Sequence, residues 1–138
     1  MQLSEHLFLS QLDQPAGYGC SVVPYPEEWI QERAVVLASV VEVICQVLGS
    51  PSFRITSGYR SREFNRALGA AVYETSDNSQ HCEGRAVDLS FDGVTPAEVF
   101  CAALHCHHRG MIRLRGLGLY SRWIHIGIGP GKLSQWIR

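Results

Sequence analysis

A chain of 138 residues with a net charge of −1 is long enough for one domain with its own core, and it carries no basic surplus to neutralise a nucleic-acid backbone. With 46% hydrophobic and 18% charged residues, neither a disordered chain nor a coiled coil is expected. No apolar run reaches the roughly 18 residues that would cross a bilayer, and the longest, Ala34 to Leu48, is broken by Ser39, Glu42 and Gln46.

Residues 1–25 form a lead-in. Leu3, Leu7, Phe8 and Leu12 suit one short amphipathic turn, and Pro15, Gly17, Gly19 and Pro24 then break regular structure. The opening Met1-Gln-Leu-Ser-Glu-His lacks the basic start and apolar run of an export signal. The five cysteines are an odd number with no CxxC pair. Together these point to reduced thiols and synthesis in a cytoplasm.

A helix is expected from Pro26, with Glu27 and Glu28 complementing its dipole. Ile30, the Arg33 stem, Leu37, Val40, Val41, Ile44 and Leu48 follow helical spacing, and Gly49 and Pro51 end the helix. Phe53–Ser57 reads as a strand closed by Gly58. Ser61 caps a short helix over 63–68, and 70–80 reads as a loop. Residues 85–91 form a second strand, with Ala86, Asp88 and Ser90 on one face and Val87, Leu89 and Phe91 on the other. Thr95-Pro96-Ala97-Glu98 is a capping box opening a helix to about His108. Two further strands, 117–120 and 123–128, flank a Ser121-Arg122 turn. Cys45 and Cys101 fall in helical apolar patterns and are expected in the core.

Two stretches carry chemistry. In Ser79-Gln80-His81-Cys82-Glu83-Gly84-Arg85-Ala86-Val87-Asp88, a loop histidine precedes a strand with an aspartate between apolar residues. A buried carboxylate needs a partner, and a metal ion would supply one. In Trp123-Ile124-His125-Ile126-Gly127-Ile128-Gly129, the isoleucines share one face and His125, Gly127 and Gly129 the other. An imidazole flanked by glycines leaves room for a ligand above the strand. Two histidines and a carboxylate are a common catalytic zinc set with one position left for water, although a single such histidine is more often a hydrogen-bonded core or surface residue. His105 and His108, one turn apart, suggest a second metal pair, but a helix-end role suits them better. Cys82 reads as a small loop-filling residue rather than a soft ligand.

The Ser79-to-Asp88 pattern, Ser-x-His-x-x-Gly-x-Ala-x-Asp, followed by Trp-Ile-His at 123–125, resembles the M15 family of zinc peptidases. These are the D-Ala-D-Ala carboxypeptidases, dipeptidases and L-Ala-D-Glu endopeptidases of peptidoglycan stem peptides. Ile55-Thr56-Ser57-Gly58-Tyr59-Arg60-Ser61, Asn65 and Gly116-Leu117-Gly118-Leu119-Tyr120 are also similar to that family, and Leu3-Ser4-Glu5-His6-Leu7 resembles its short phage and prophage members. The resemblance implies an α+β fold of hedgehog and DD-peptidase type, in which a small antiparallel sheet carries the zinc site and packs against helices. It implies Zn2+ held by His81, Asp88 and His125. It places Arg60 on the substrate carbonyl or the tetrahedral intermediate, and Ser79 beside the substrate, orienting a ligand.

The chain departs from the family where a general base is expected. Arg122 stands three residues before the last histidine, Leu119 six before it and Gly127 two after it, and none is acidic. Glu83 is the acid nearest a ligand in sequence. The resemblance therefore implies a peptidase of the bacterial wall, made in the cytoplasm and acting after release or within a virion. It leaves open a weak or inactive phage structural or wall-binding protein, or a hedgehog-like zinc module. The eleven arginines beside a single lysine, Lys132, reflect coding bias or arginines selected for forked contacts with carboxylates.

Overall fold

The computed structural model describes residues 1–71 and 79–138. Of the expected 70–80 loop, residues 72–78 lie outside the described residues.

The lead-in is tied to the core rather than lying loosely over it. A 3-10 turn at Leu9–Leu12 follows Leu7, and both Leu7 and Leu12 are fully buried. The Gln14 side chain, also buried, donates to Ser21 O at 2.9 Å and accepts from Ser61 N at 2.7 Å. The Leu12 carbonyl accepts from Tyr59 N at 2.8 Å. Gly58 sits so close beneath that a Cβ there would lie 2.8 Å from the Leu12 backbone. The lead-in thus clamps the segment that carries Arg60.

The first long helix starts where Pro26 and the two glutamates placed it, but it winds irregularly. A 3-10 turn, Glu27–Trp29, passes into a π turn, Ile30–Ala34, and then into α1, Val35–Val47. Arg33 leaves the π turn to lie 4.1 Å over the Trp29 ring and to donate to Glu83 O at 2.6 Å. After Gly49, β1 runs Phe53–Ser57 and α2 runs Arg62–Ala71, longer than the spacing alone suggested. Strand β2 is Ala86–Phe91, and α3 is Pro96–His108, with the Thr95 hydroxyl accepting from Glu98 N at 3.2 Å as its capping box requires. Strands β3, Gly116–Leu119, and β4, Ile124–Gly127, follow as expected. No helix is long and apolar enough to cross a membrane among the described residues.

A fifth strand, β5 (Ser134–Ile137), was not legible in the sequence. The sheet order is β1-β2-β4-β3-β5. The first four strands pair antiparallel, as expected, while β5 lies parallel to β3 and makes the sheet mixed. One face carries Val87, Leu89, Phe91, Leu117, Ile124, Ile126 and Ile128 into a core shared with Leu37, Val41 and Ile44 of α1 and Val99 and Ala103 of α3. Cys45 is in that core, as expected. Cys101 is not: it is exposed on α3, and Cys106 is the buried cysteine of that helix. The inward face of α3 runs Val99, Ala103 and Cys106, and Cys101 falls outside it. No disulfide joins any two cysteines among the described residues.

Candidate metal centre

The other face of the sheet carries the site, and strand register assembles it. Between Ile55 and Ser57 the β1–β2 pairing slips, so that Ser57 rather than Thr56 stands opposite Asp88. Asp88 pairs with His125, His125 with Gly118, and Gly118 with Trp136. One row across five strands therefore reads Ser57, Asp88, His125, Gly118, Trp136. His81 joins from the turn before β2. That turn closes through Gly84, whose φ of +66° is left-handed, and a Cβ there would lie 2.7 Å from the Tyr25 hydroxyl. Tyr25 donates to Gly84 O at 2.6 Å, and burial pushes its hydroxyl up to about 12.

Each of the three residues is held from outside. His81 Nδ1 donates to Gly58 O at 2.8 Å. His125 Nε2 donates to the Gln80 side-chain oxygen at 3.0 Å. Both acceptors are carbonyl oxygens, so both outer nitrogens must carry the protons. The inner nitrogens are then bare: His81 Nε2 faces Asp88 Oδ1 at 3.2 Å and His125 Nδ1 faces the same oxygen at 3.1 Å. The ligand atoms of His81, Asp88 and His125 all lie within 4.8 Å of one another. Three lone-pair donors converging in a buried pocket repel unless a cation sits among them, and two imidazoles with one carboxylate match what zinc takes. The donor set fits that metal.

Electrostatics agree. Burial alone would raise the Asp88 pKa, but positive charge among the ligand atoms, on protonated His81 and His125 or on a metal in place of their protons, holds the carboxyl well below its usual range. Burial pushes His125 down against the pull of Asp88, which favours the neutral, coordinating imidazole. The second carboxylate oxygen, Asp88 Oδ2, accepts from Arg60 Nη2 at 3.2 Å.

Arg60 lines the cavity and is at the same time tied to its neighbours. Its side chain is only 3% exposed, and each of its three nitrogens has a side-chain partner: Nε donates to Ser57 Oγ at 2.9 Å, Nη1 to Asn65 Oδ1 at 3.2 Å and Nη2 to Asp88. Ser79 accepts from His81 N at 3.2 Å through its hydroxyl, bracing the turn. Glu83 sits exposed on the rim of the same cavity.

A cavity of about 640 Å3 opens over the row. Glycines of β3 and β4 underlie two of the side chains that line it, Gln80 and Trp136. A Cβ on Gly116 or Gly127 would fall on the Gln80 amide, and one on Gly118 would fall on the Trp136 indole. The space above Gly127 that the sequence suggested was open is thus filled by Gln80. Trp136 packs beside His125 with ring centroids 4.9 Å apart and donates to Tyr120 Oη at 2.9 Å. Gln80 and Trp136 were missed in the sequence. The glycine spacing on β3 and β4 was the available signal, since it marks where another element comes close.

A second group, His6, Glu42 and Cys45, also brings ligand atoms together, but Glu42 is already satisfied there by Ser4 Oγ, His6 N and His6 Nδ1. The histidines at the end of α3 enter neither group among the described residues. His107 instead accepts from Leu114 N at 3.1 Å, a helix-end role.

The family model described as peptidase M15 matches residues 10–127. The chain belongs to the M15 peptidases. These are in general zinc enzymes, and the matched segment contains the whole His81–Asp88–His125 constellation. The M15 chain is 32% identical over 81 residues to the peptidoglycan L,D-endopeptidase MepK of Escherichia coli K12, and equally so to that of Shigella flexneri. The match takes in 57% of this chain and 41% of the relative, so the chain aligns with about two-fifths of the curated relatives' length. The crystal structure of the Serratia marcescens L-Ala D-Glu endopeptidase ChiX superposes with a TM-score of 0.52 at 16% identity, covering 91% of this chain and 92% of that one. The M15 fold therefore extends over nearly the whole molecule.

Proposed function

We propose that this protein is a zinc-dependent peptidase of peptidoglycan stem peptides, with His81, Asp88 and His125 as the metal ligands. The observation that carries the reading is the meeting of three bare acceptor atoms, each oriented by a fixed outer hydrogen bond, in a buried pocket at the foot of an open cavity. The substrate class draws on the names of its relatives, endopeptidases of peptidoglycan or of the L-Ala D-Glu bond.

Zinc held there would polarise the scissile carbonyl and lower the pKa of a coordinated water. The chain's own residues do the rest. Gly58 O and Gln80 fix the tautomers of His81 and His125, so that the correct nitrogen faces inward. Arg60 holds the outer oxygen of Asp88 and leaves the inner one for the metal. Gln80 and Trp136, seated on the glycines of β3 and β4, line the cavity that a peptide would occupy. Glu83 is the one carboxylate on the cavity wall, among the described residues, that is not already engaged by Arg60 and the histidines. We assign it the proton that a hydrolytic water must lose.

Purified protein loaded with zinc and incubated with purified cell wall tests this. New amino groups should appear, vanish with a chelator and return with zinc. Asp88→Asn should abolish both zinc binding and cleavage. A folded, zinc-loaded protein that leaves cell wall and isolated stem peptides intact would overturn the reading.

A further inference from the structure

The cavity is strongly cationic. Among the described residues, Arg60, Arg85, Arg115 and Arg138 line it, against two carboxylates, Asp88 and Glu83. Arg60 is spent on Asp88. Arg85 and Arg115 are placed differently, at matching positions on the sheet. Each stands one residue ahead of a strand, Arg85 before β2 and Arg115 before β3, and the end of β4 lies between them. Their backbones are fixed there: Ile128 N donates to Arg85 O at 2.8 Å, and Arg115 N donates to Gly127 O at 2.8 Å.

Their stems are fixed as well. The loop Gly129-Pro130-Gly131 closes over both. A Cβ on Gly129 would lie 3.2 Å from Arg85 Cδ, and one on Gly131 would lie 3.0 Å from Arg115 Nε. Side chains held this closely lose less entropy on gripping a ligand. Their heads are largely unspent. Arg115 gives one N–H to Lys132 O at 2.9 Å, and the Arg85 guanidinium makes no hydrogen bond or ion pair with any described residue. Two half-buried guanidinium groups on the wall of a site, with donors to spare, are matched by an anion with paired oxygens.

We infer that Arg85 and Arg115 form a subsite for a free carboxylate of the substrate peptide, borne by a residue next to the scissile bond. The subsite selects peptides in which that carboxylate is free over those in which it is amidated. This deepens the peptidase reading and rests on it.

The test is a pair of synthetic stem peptides, identical except for a carboxylate or a carboxamide at that residue, cleaved by the zinc-loaded protein. A charge-assisted pair of this kind corresponds to a preference of roughly 10- to 100-fold in kcat/KM for the carboxylate peptide. Arg85→Gln and Arg115→Gln should each collapse that preference, chiefly through KM, at unchanged zinc content. Equal cleavage of both peptides by the wild type, or an equal loss on both peptides in the variants, would overturn the subsite while leaving the peptidase reading intact. Should neither peptide be cut, the peptidase reading fails, and calorimetry decides the subsite separately. Tighter binding of the carboxylate peptide by the wild type than by the Arg85→Gln/Arg115→Gln double variant upholds it, and equal binding overturns it.

Discussion

Replacing Arg60 with methionine separates two roles for the same residue. Methionine keeps a long stem but removes the guanidinium, leaving Asp88 Oδ2, Asn65 Oδ1 and Ser57 Oγ without their donor. The pair is buried, at 3% exposure for the Arg60 side chain and 7% for Asp88, so solvent cannot make up the loss. Removing one partner of such a pair costs about 3–5 kcal/mol. A chain of 138 residues has an unfolding entropy near ~0.3 kcal/mol/K, so Tm should fall by roughly 10–17 °C. With the Asp88 carboxylate free to swing, zinc affinity should weaken by about 10- to 100-fold. Thermal melts of chelator-treated protein and competitive zinc titration measure the two quantities separately. Wild-type Tm and wild-type zinc affinity in a variant that no longer cleaves would refute this reasoning. Arg60 would then belong with the substrate, as the family resemblance implied.

Two other outcomes follow from the same geometry. Gln80→Ala should leave Tm nearly unchanged but weaken zinc binding by about 10- to 100-fold, because His125 Nε2 loses the acceptor that keeps its proton outward; unaltered affinity in a zinc titration would contradict that account. The His6–Glu42 pair should give a pH-dependent anchor for the lead-in. Hydrogen bonding to Glu42 raises the His6 pKa above its ordinary 6.5, so its contribution is full below that value and is lost as pH rises through the raised one. Burial would raise the Glu42 pKa, but bonds from His6 and Ser4 bring it below its ordinary 4.5, so its share is full above that value and is lost as pH falls. The Tm difference between wild type and His6→Ala should therefore peak near pH 5–6 and shrink toward pH 9 and pH 3; a flat difference would remove the pair from the ledger.

Most elements were legible because local signals and tertiary placement agree in them. Thr95 caps α3 as its sequence promised, and Ile124, Ile126 and Ile128 face the core as their alternation required. A mid-strand carboxylate and a histidine among glycines stood out locally, the family resemblance joined His81, Asp88 and His125, and strand register brings the three together. What escaped was set by non-local partners. Strand β5 is short, polar and largely exposed, so it carries no periodicity, and it exists because the β3 edge offers hydrogen bonds. The bond between His125 and Gln80 depends on Gly116 of β3 and Gly127 of β4, which leave room for the Gln80 amide, and no local pattern announces it. The π turn at Ile30–Ala34 hides within an otherwise helical spacing. For Arg60, the resemblance marked the position but not its bond to Asp88.

The glycines beneath Gln80 and Trp136 also say something about how such a site can change. Beside Asp88 and His125, leaving side chains out of Gly116, Gly118 and Gly127 makes room for Gln80 and Trp136, which line the cavity. A strand position cut down to the backbone cannot be cut further. Clearance is governed instead by the two residues that lean over the glycines, Gln80 and Trp136. Shortening either one widens the cavity without touching β3 or β4, whereas any side chain added at the glycines pushes one of them aside. A broader substrate range is therefore reached most directly at those two positions, and a narrower one at the three glycines.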